Sequence, residues 1–165
     1  EGAYVKKLPL MEGREQRVVI ERIVKFKNSE QRIRFYDTHL DHLDDELNRL
    51  PSAIAINQWS VQDNARWKGS EKIEVDTHLP SILLGDMNAT PESKTILELE
   101  KIWTRAGAGR AMPSWPSENP RIHIDHIFFR PADRWKVIEI EVMGEEIASD
   151  HRPVMAVLEL LPENR

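Results

Sequence analysis

Apolar positions along this chain fall mostly into short runs broken by polar turns, and only two stretches show helical spacing. Val18 to Phe26 (VVIERIVKF) is rich in β-branched residues and bounded by charge, which predicts a strand. Lys27-Asn28-Ser29-Glu30 reads as a turn. Ile33 to Leu40 (IRFYDTHL) reads as a second strand, forming a hairpin with the first. Ser81-Ile82-Leu83-Leu84 stops abruptly on Gly85 and predicts a fully buried strand. Ile124 to Phe129 predicts another. From Trp135 to Met143, Val137, Glu139 and Glu141 oppose Ile138, Ile140 and Val142, the pattern of a half-exposed antiparallel strand. Val154 to Leu160 predicts the last strand.

Asp44 is placed to cap the first helix, whose apolar positions include Ile54, Ile56, Trp59 and Ala65. Pro51 predicts a kink or a restart within it, and Gly69 its end. Thr90-Pro91-Glu92 supplies the hydroxyl and proline of a second helix start. Ile96, Leu97, Leu99 and Ile102 give that helix a mostly apolar face up to Trp103. Residues 1–17 are polar, with Gly2, Pro9 and Gly13, and read as a loop-like leader with at most a short strand at its start. Ser70 to His78 reads as a polar connector. Ala106 to Ile122 is a long Gly- and Pro-rich loop carrying Trp115, an aromatic that either contacts a substrate or pins the loop. Strand pair, helix, strand, helix, loop and three strands describe a mostly antiparallel sheet with helices on one face. That is an α/β domain of the layered α+β kind.

Composition alters this picture little. At 165 residues the chain is one domain's worth, and 40% hydrophobic with 31% charged residues is ordinary for a globular protein. The 23 basic and 28 acidic residues leave a formal charge of −5, which gives no general attraction to nucleic acid or anionic membrane. Cysteine is absent, so no disulfide framework exists. No apolar run approaches membrane-spanning length, and the compartment is left open.

Candidate chemistry gathers where the strands run out. The second strand ends in Asp37-Thr38-His39-Leu40-Asp41-His42, and alternation puts Asp37, His39 and Asp41 on one face. The buried strand delivers Asp86 and Asn88, spaced so that both can point the same way. Gly85 admits close approach of a ligand or another stretch of backbone. A carboxylate and an amide aimed at one spot suit a hydrated cation and a phosphate oxygen. An Asx-type turn at a strand end accounts for the pair equally well. Asp125 and the pair Asp150 and His151 mark two further strand ends, and sheet ends are where α/β folds place ligands. Arg110, Arg121, Arg130 and Arg152 are candidates to line a phosphate groove.

Asp37-Thr38-His39-Leu40-Asp41-His42, Gly85-Asp86-Met87-Asn88, Ile124-Asp125-His126-Ile127 and Ser149-Asp150-His151-Arg152-Pro153, in that order, resemble the motifs of the endonuclease/exonuclease/phosphatase superfamily. The resemblance spans about Val18 to Leu160. It implies a Mg²⁺- or Mn²⁺-dependent phosphoesterase in which metal-activated water attacks phosphorus. By this resemblance His39 contacts the scissile phosphate, and Asp86 aligns or deprotonates the water and touches the metal. Asn88 holds the water and a phosphate oxygen, and Asp150 is a metal ligand. His151 binds or protonates the phosphate, with Asp125 hydrogen-bonded to its other ring nitrogen. Asp41 and His42 take no assigned role. The substrate is a phosphate ester: a small phosphodiester, a phosphomonoester, nucleic acid or a lipid headgroup.

The superfamily domain is a four-layer α/β sandwich of two similar halves, and the chain resembles only its C-terminal part. The Asn and the metal-binding Glu of the first half have no counterpart; Glu12, Glu15 and Glu21 do not follow an apolar strand in the required pattern. The expectation is a single partial domain over residues 1–165, with the N-terminal half missing. One sheet face is then left for that half or for a second copy of the chain, and activity of the chain alone is weak or absent. Two rival readings are a scaffold module that keeps the fold without catalysis, and a different metallohydrolase, which would carry denser histidine ligation.

Overall fold

The computed structural model describes residues 3–43, 46–62, 65–68 and 70–163. Along the chain come β1 (Ala3–Lys7), β2 (Val18–Lys25), β3 (Arg32–His39), α1 (Glu46–Val61), β4 (Ala65–Lys68), β5 (Glu71–Glu74), β6 (Ser81–Asp86), α2 (Lys94–Leu99), β7 (Thr104–Arg105), β8 (Asp125–Arg130), β9 (Trp135–Val142) and β10 (Val154–Leu160). Six strands form one sheet in the order β1-β2-β3-β6-β8-β7, in which only β3 and β6 run parallel. β9 pairs with β10, and β4 with β5, in separate two-stranded sheets.

Strand alternation divides the side chains of the large sheet between two cores. Val19, Ile23, Tyr36, Leu83 and Phe128 point to one face and pack with Ala53, Ile56 and Trp59 of α1 and Ile96 and Leu99 of α2. Ile33, Ile82 and Phe129 point to the other and pack with Trp135 and Ile140 of β9. Both helices thus lie on one face, as expected. The second face is not bare, because the β9–β10 ribbon covers its β6–β8 side. Its apolar residues stand open at the β1–β2 edge, where Val5, 64% exposed, is paired with Ile20, 40% exposed.

Several local expectations change. The strand at the start of the leader is present: β1 pairs with Val18–Arg22 and extends the sheet. α1 runs through Pro51 without a restart. Proline lies early in the helix and removes only one backbone donor there. The helix stops at Val61 rather than near Gly69, and Ala65 belongs to a strand. Asp44 and Gly69 lie outside the described residues. The connector 70–78 contains β5. The second helix begins at Lys94, capped by the Ser93 hydroxyl, which accepts from the Ile96 N–H at 3.2 Å; it ends at Leu99, short of Trp103. Among the described residues no helix is long and apolar enough to cross a membrane.

The α1 face hides a charge cluster that no hydrophobic pattern announces. Glu21 and Arg34 are fully buried. The Glu21 carboxylate accepts from Arg34 Nε at 2.6 Å and from Arg66 Nε, and the Arg66 guanidinium lies 4.2 Å from the Trp59 ring centroid. This is a structural role for Glu21 in the core of the domain. Removing one partner from a buried ion pair strands the other charge in low dielectric, at a cost of about 3–5 kcal/mol. Glu21→Gln is therefore expected to lower unfolding free energy by about that amount in urea melts, and a loss below about 1 kcal/mol would show the cluster to be dispensable.

Candidate active site

Three strands deliver the site in register. His39 is the last residue of β3, Asp86 the last of β6 and Asp125 the first of β8; His39 pairs with Asp86 and Asp86 with Asp125 across the sheet. The three side chains therefore form one row at the sheet edge, on the face opposite the helices. Gly85 makes the close approach possible. With φ at +140°, it packs so tightly on β3 that a Cβ would sit 1.9 Å from the Thr38 carbonyl oxygen. The approach anticipated at this glycine is that of the neighbouring strand. The Leu40 N–H then donates to the Asp86 carbonyl at 2.9 Å, closing the β3 end onto β6.

Past β6 the chain turns over Asn88, whose φ of 47° is left-handed. The Asn88 N–H donates to Asp86 Oδ1 at 2.8 Å, an Asx turn. Its side-chain amide donates to the Leu40 carbonyl at 3.2 Å and to Asp86 Oδ2 at 3.3 Å. The Asx turn expected at this strand end is present, and Asp86 and Asn88 both line the cleft. Beneath the turn, His126 donates from Nε2 to the Ala89 carbonyl at 2.8 Å and stacks on His123 with 4.4 Å between centroids. Burial pushes the His126 pKa down to about 3, so the ring stays neutral and keeps this donor role.

The long loop is ordered by its bonds to the segment before β10. The Ser117 N–H donates to the Asp150 carbonyl at 2.7 Å, and the Arg152 N–H to the Ser114 carbonyl at 2.8 Å. Arg152 Nε donates to the Ser117 carbonyl at 2.6 Å. These ties bring His151 to the sheet edge, where its Nδ1–H donates to Asp125 Oδ2 at 2.8 Å and its Nε2 lies 4.0 Å from Asp86 Oδ2. Ser114 Oγ donates to the same Asp125 oxygen at 2.5 Å. Ser114 was invisible to motif reading, because nothing marks one serine among the polar residues of a loop.

His39, Asp86, Asn88, Asp125, Asp150 and His151 all line one cleft of about 960 Å³. His39 Nε2 is 3.3 Å from Asp86 Oδ2. Asp86, Asp125 and His151 each offer a ligand atom, and these lie within 4.8 Å of one another. Asp150 lines the cleft but falls outside that trio; its carboxylate touches the Ser149 hydroxyl at 3.4 Å. Asp41 turns away into structure: buried, it caps the Leu43 N–H at 3.2 Å and meets Arg14. His42 reaches the cleft, and Trp115 forms part of its wall with its backbone bridged to Ile122. Arg130 serves no phosphate groove; it donates to the Ser60 and Thr77 carbonyls on the helix side of the sheet.

The electrostatics are those of crowded carboxylates. Burial raises the Asp86 pKa and the Asp125 charge adds to this, against the Asn88 N–H, His39 and His151. For His151, burial works downward but is outweighed by the Asp125 hydrogen bond and the charges of Asp125, Asp86 and Asp150, leaving its pKa raised.

The ends of the central strands thus bring a carboxylate-oriented histidine and clustered acids into one cleft of a layered α/β domain. Residues 24–151 match the Endonuclease/Exonuclease/phosphatase family, and the chain belongs to that family. Its fold is similar to that of an endonuclease/exonuclease/phosphatase from Bacteroides vulgatus (TM-score 0.73, 21% identity, covering 97% of this chain and 65% of that one). It is also similar to a mannosyl-6-phosphatase of Bacteroides thetaiotaomicron (TM-score 0.68, 19% identity, 91% and 60% covered). A third similar structure is D. rerio TDP2 in complex with a single-strand DNA product (TM-score 0.68, 14% identity, 96% and 67% covered). The chain spans less than two thirds of the length of the first two. Among curated proteins none matches it in sequence.

Because the folded-state pKa of His151 is raised, its protonation favours the folded chain. That contribution is complete below the usual imidazole pKa and is lost as pH rises through the raised value. In metal-free protein the His151 ring signals are expected to titrate above the usual imidazole range by NMR, and Asp125→Asn to move that titration down. A His151 titration indifferent to Asp125→Asn would contradict the pairing.

Proposed function

We propose that this chain carries the catalytic sheet edge of a divalent-metal-dependent phosphoesterase that hydrolyses a small phosphate ester. The observation that supports it is the row His39, Asp86 and Asp125 facing His151 in one cleft. The residues suit Mg²⁺ or Mn²⁺: Asp86 and Asp125 are hard oxygen donors, and the Asp86 carboxylate, pushed upward by burial and further by the Asp125 charge, is one whose ionised form a cation would stabilise. Asp86 and Asp125 would be the nearest ligands, with Asp150 the further carboxylate at the rim, and His151 Nε2 is left for the phosphate. When bound, such an ion supplies the positive charge that offsets the phosphate and lowers the pKa of water.

The protein groups divide the remaining work. Asp86 takes a proton from, or aligns, the attacking water, and Asn88 helps hold that water beside it. His151 points Nε2 at the phosphate while Asp125 holds Nδ1–H, which fixes the tautomer and favours the imidazolium that hydrogen-bonds or protonates a phosphate oxygen. His39, 56% exposed in its side chain, contacts the phosphate from the β3 side.

A small ester fits better than bulk DNA. Tracking a nucleic-acid backbone takes several Lys or Arg contacts to phosphates. Arg49 is the single Lys or Arg among the described residues lining the cleft, and it is committed to the Asp41 and Leu43 carbonyls. The single-strand DNA of TDP2 and the sugar phosphate implied by the name of the mannosyl-6-phosphatase bracket what this fold accommodates in those proteins.

The test is release of p-nitrophenol from p-nitrophenyl phosphate and bis-p-nitrophenyl phosphate with Mg²⁺, against nicking of plasmid DNA. Expected is slow, EDTA-sensitive turnover of an aryl ester, reduced at least about 100-fold by Asp86→Ala and by His151→Ala. Turnover that survives both substitutions, or that ignores EDTA, would refute the proposal.

A further inference from the structure

A second cavity, of about 860 Å³, adjoins the cleft, and Thr90 and Ile122 line both. Its walls carry Arg105, Arg110 and Arg121 against Glu92 and Glu100. Arg105 Nε is held by Glu100 at 2.7 Å, which leaves two guanidinium groups facing one carboxylate. Neither Arg110 nor Arg121 has a carboxylate within ion-pair distance among the described residues. Arg110 is nevertheless fixed, because its Nη1 donates to the Ile140 carbonyl at 3.2 Å. Among the residues that line this cavity, Arg105 has a side chain only 8% exposed, and its Nη1 is buried without a hydrogen-bond partner. Buried groups of this kind are normally satisfied, and their exceptions call for an explanation. In a chain of net charge −5, an excess of positive charge beside an acidic cleft is a local arrangement and no consequence of composition.

We propose that this cavity is an anion subsite, which holds a second phosphate or carboxylate of the substrate while the scissile phosphate lies in the Asp86–His151 cleft. Arg110 and Arg121 bind that group, since a guanidinium fork matches a phosphate or carboxylate in two-point contact. Arg105, braced by Glu100, forms the buried floor. The substrate is then a small phosphate ester with two anionic groups, joined by a linker long enough to pass Thr90 and Ile122. Arg110 and Arg121, two of the four arginines that the sequence offers for a phosphate groove, are thereby placed in one cavity; Arg152 is engaged in holding the long loop. This inference rests on the phosphoesterase reading.

The experiment uses phosphonates, whose C–P bonds the enzyme does not hydrolyse. In the presence of Mg²⁺, calorimetry compares alkylphosphonates, α,ω-alkanebisphosphonates and ω-carboxyalkylphosphonates over a series of linker lengths. At one linker length the bisphosphonate is expected to bind about tenfold or more tightly than the alkylphosphonate. In an Arg110→Ala, Arg121→Ala double variant the two ligands are expected to bind alike. Both arginines are exposed, so folding is retained, and Arg110→Lys with Arg121→Lys keeps part of the gain. An ω-carboxyalkylphosphonate that gains as much identifies the second group as a carboxylate; a smaller gain identifies it as a phosphate. A bisphosphonate advantage at no linker length, or one that survives the double alanine variant, overturns the subsite alone. Alkylphosphonate binding that is absent, or that His151→Ala leaves untouched, overturns the phosphoesterase reading and the subsite with it.

Discussion

The close approach of β3 to β6 at Gly85 is the constraint on which the site depends. A side chain there would collide with the Thr38 backbone, and its φ is one that L-residues rarely adopt. With glycine in place, the parallel ladder runs to its last rung and sets His39 beside Asp86. The antiparallel ladder to β8 adds Asp125. The geometry of the row is thus fixed by backbone pairing rather than by the side chains themselves. Only the fourth group, His151, needs a loop to bring it in, and that loop is bonded to the Ser114–Ser117 segment.

Holding these groups together has an energetic cost. Asp86 is partly buried near a second carboxylate and is less willing to ionise than a free aspartate. The Asx turn at Asn88 and the two histidines offset part of that cost. Away from the sheet edge, the fold concentrates its stabilising contacts: two apolar cores on opposite faces, and a Glu21 carboxylate shared by Arg34 and Arg66. Strain and like charge sit at the cleft, and paired opposite charges sit in the core.

Much of the candidate site was legible in the sequence because an apolar run that stops on a polar residue marks the end of a strand. His39, Asp86 and Asp125 stand at such ends, Asn88, Asp150 and His151 lie within four residues of one, and one cleft receives all six. What was not legible depends on partners distant along the chain. α1 buries Asn48, Arg49, Ser52, Asn57 and Ser60, so its inward face is half polar and its apolar period misleads about its length. β4 and β5 are short and polar; they pair with each other, and Arg66 is buried by Glu21, far from it in sequence. The order in the long loop comes from hydrogen bonds to residues 150 and 152, which no local pattern shows. The apolar sheet face expected to be bare is covered on the β6–β8 side by β9 and β10, because a bulge at Ile138 interrupts the predicted alternation of β9: Trp135 and Val137 before it and Ile140 and Val142 after it all turn inward, while Ile138 itself is exposed.

The central claim is that groups remote in sequence converge on one cation-and-phosphate pocket. Substoichiometric Mn²⁺ titrated into the chain, with paramagnetic broadening of the histidine ring signals read by NMR, tests it most directly. His151 and His39 are expected to broaden first, while His78, which lies outside the cleft, stays sharp. Broadening of His78 in step with the others, or a His151 signal that remains sharp, would contradict it.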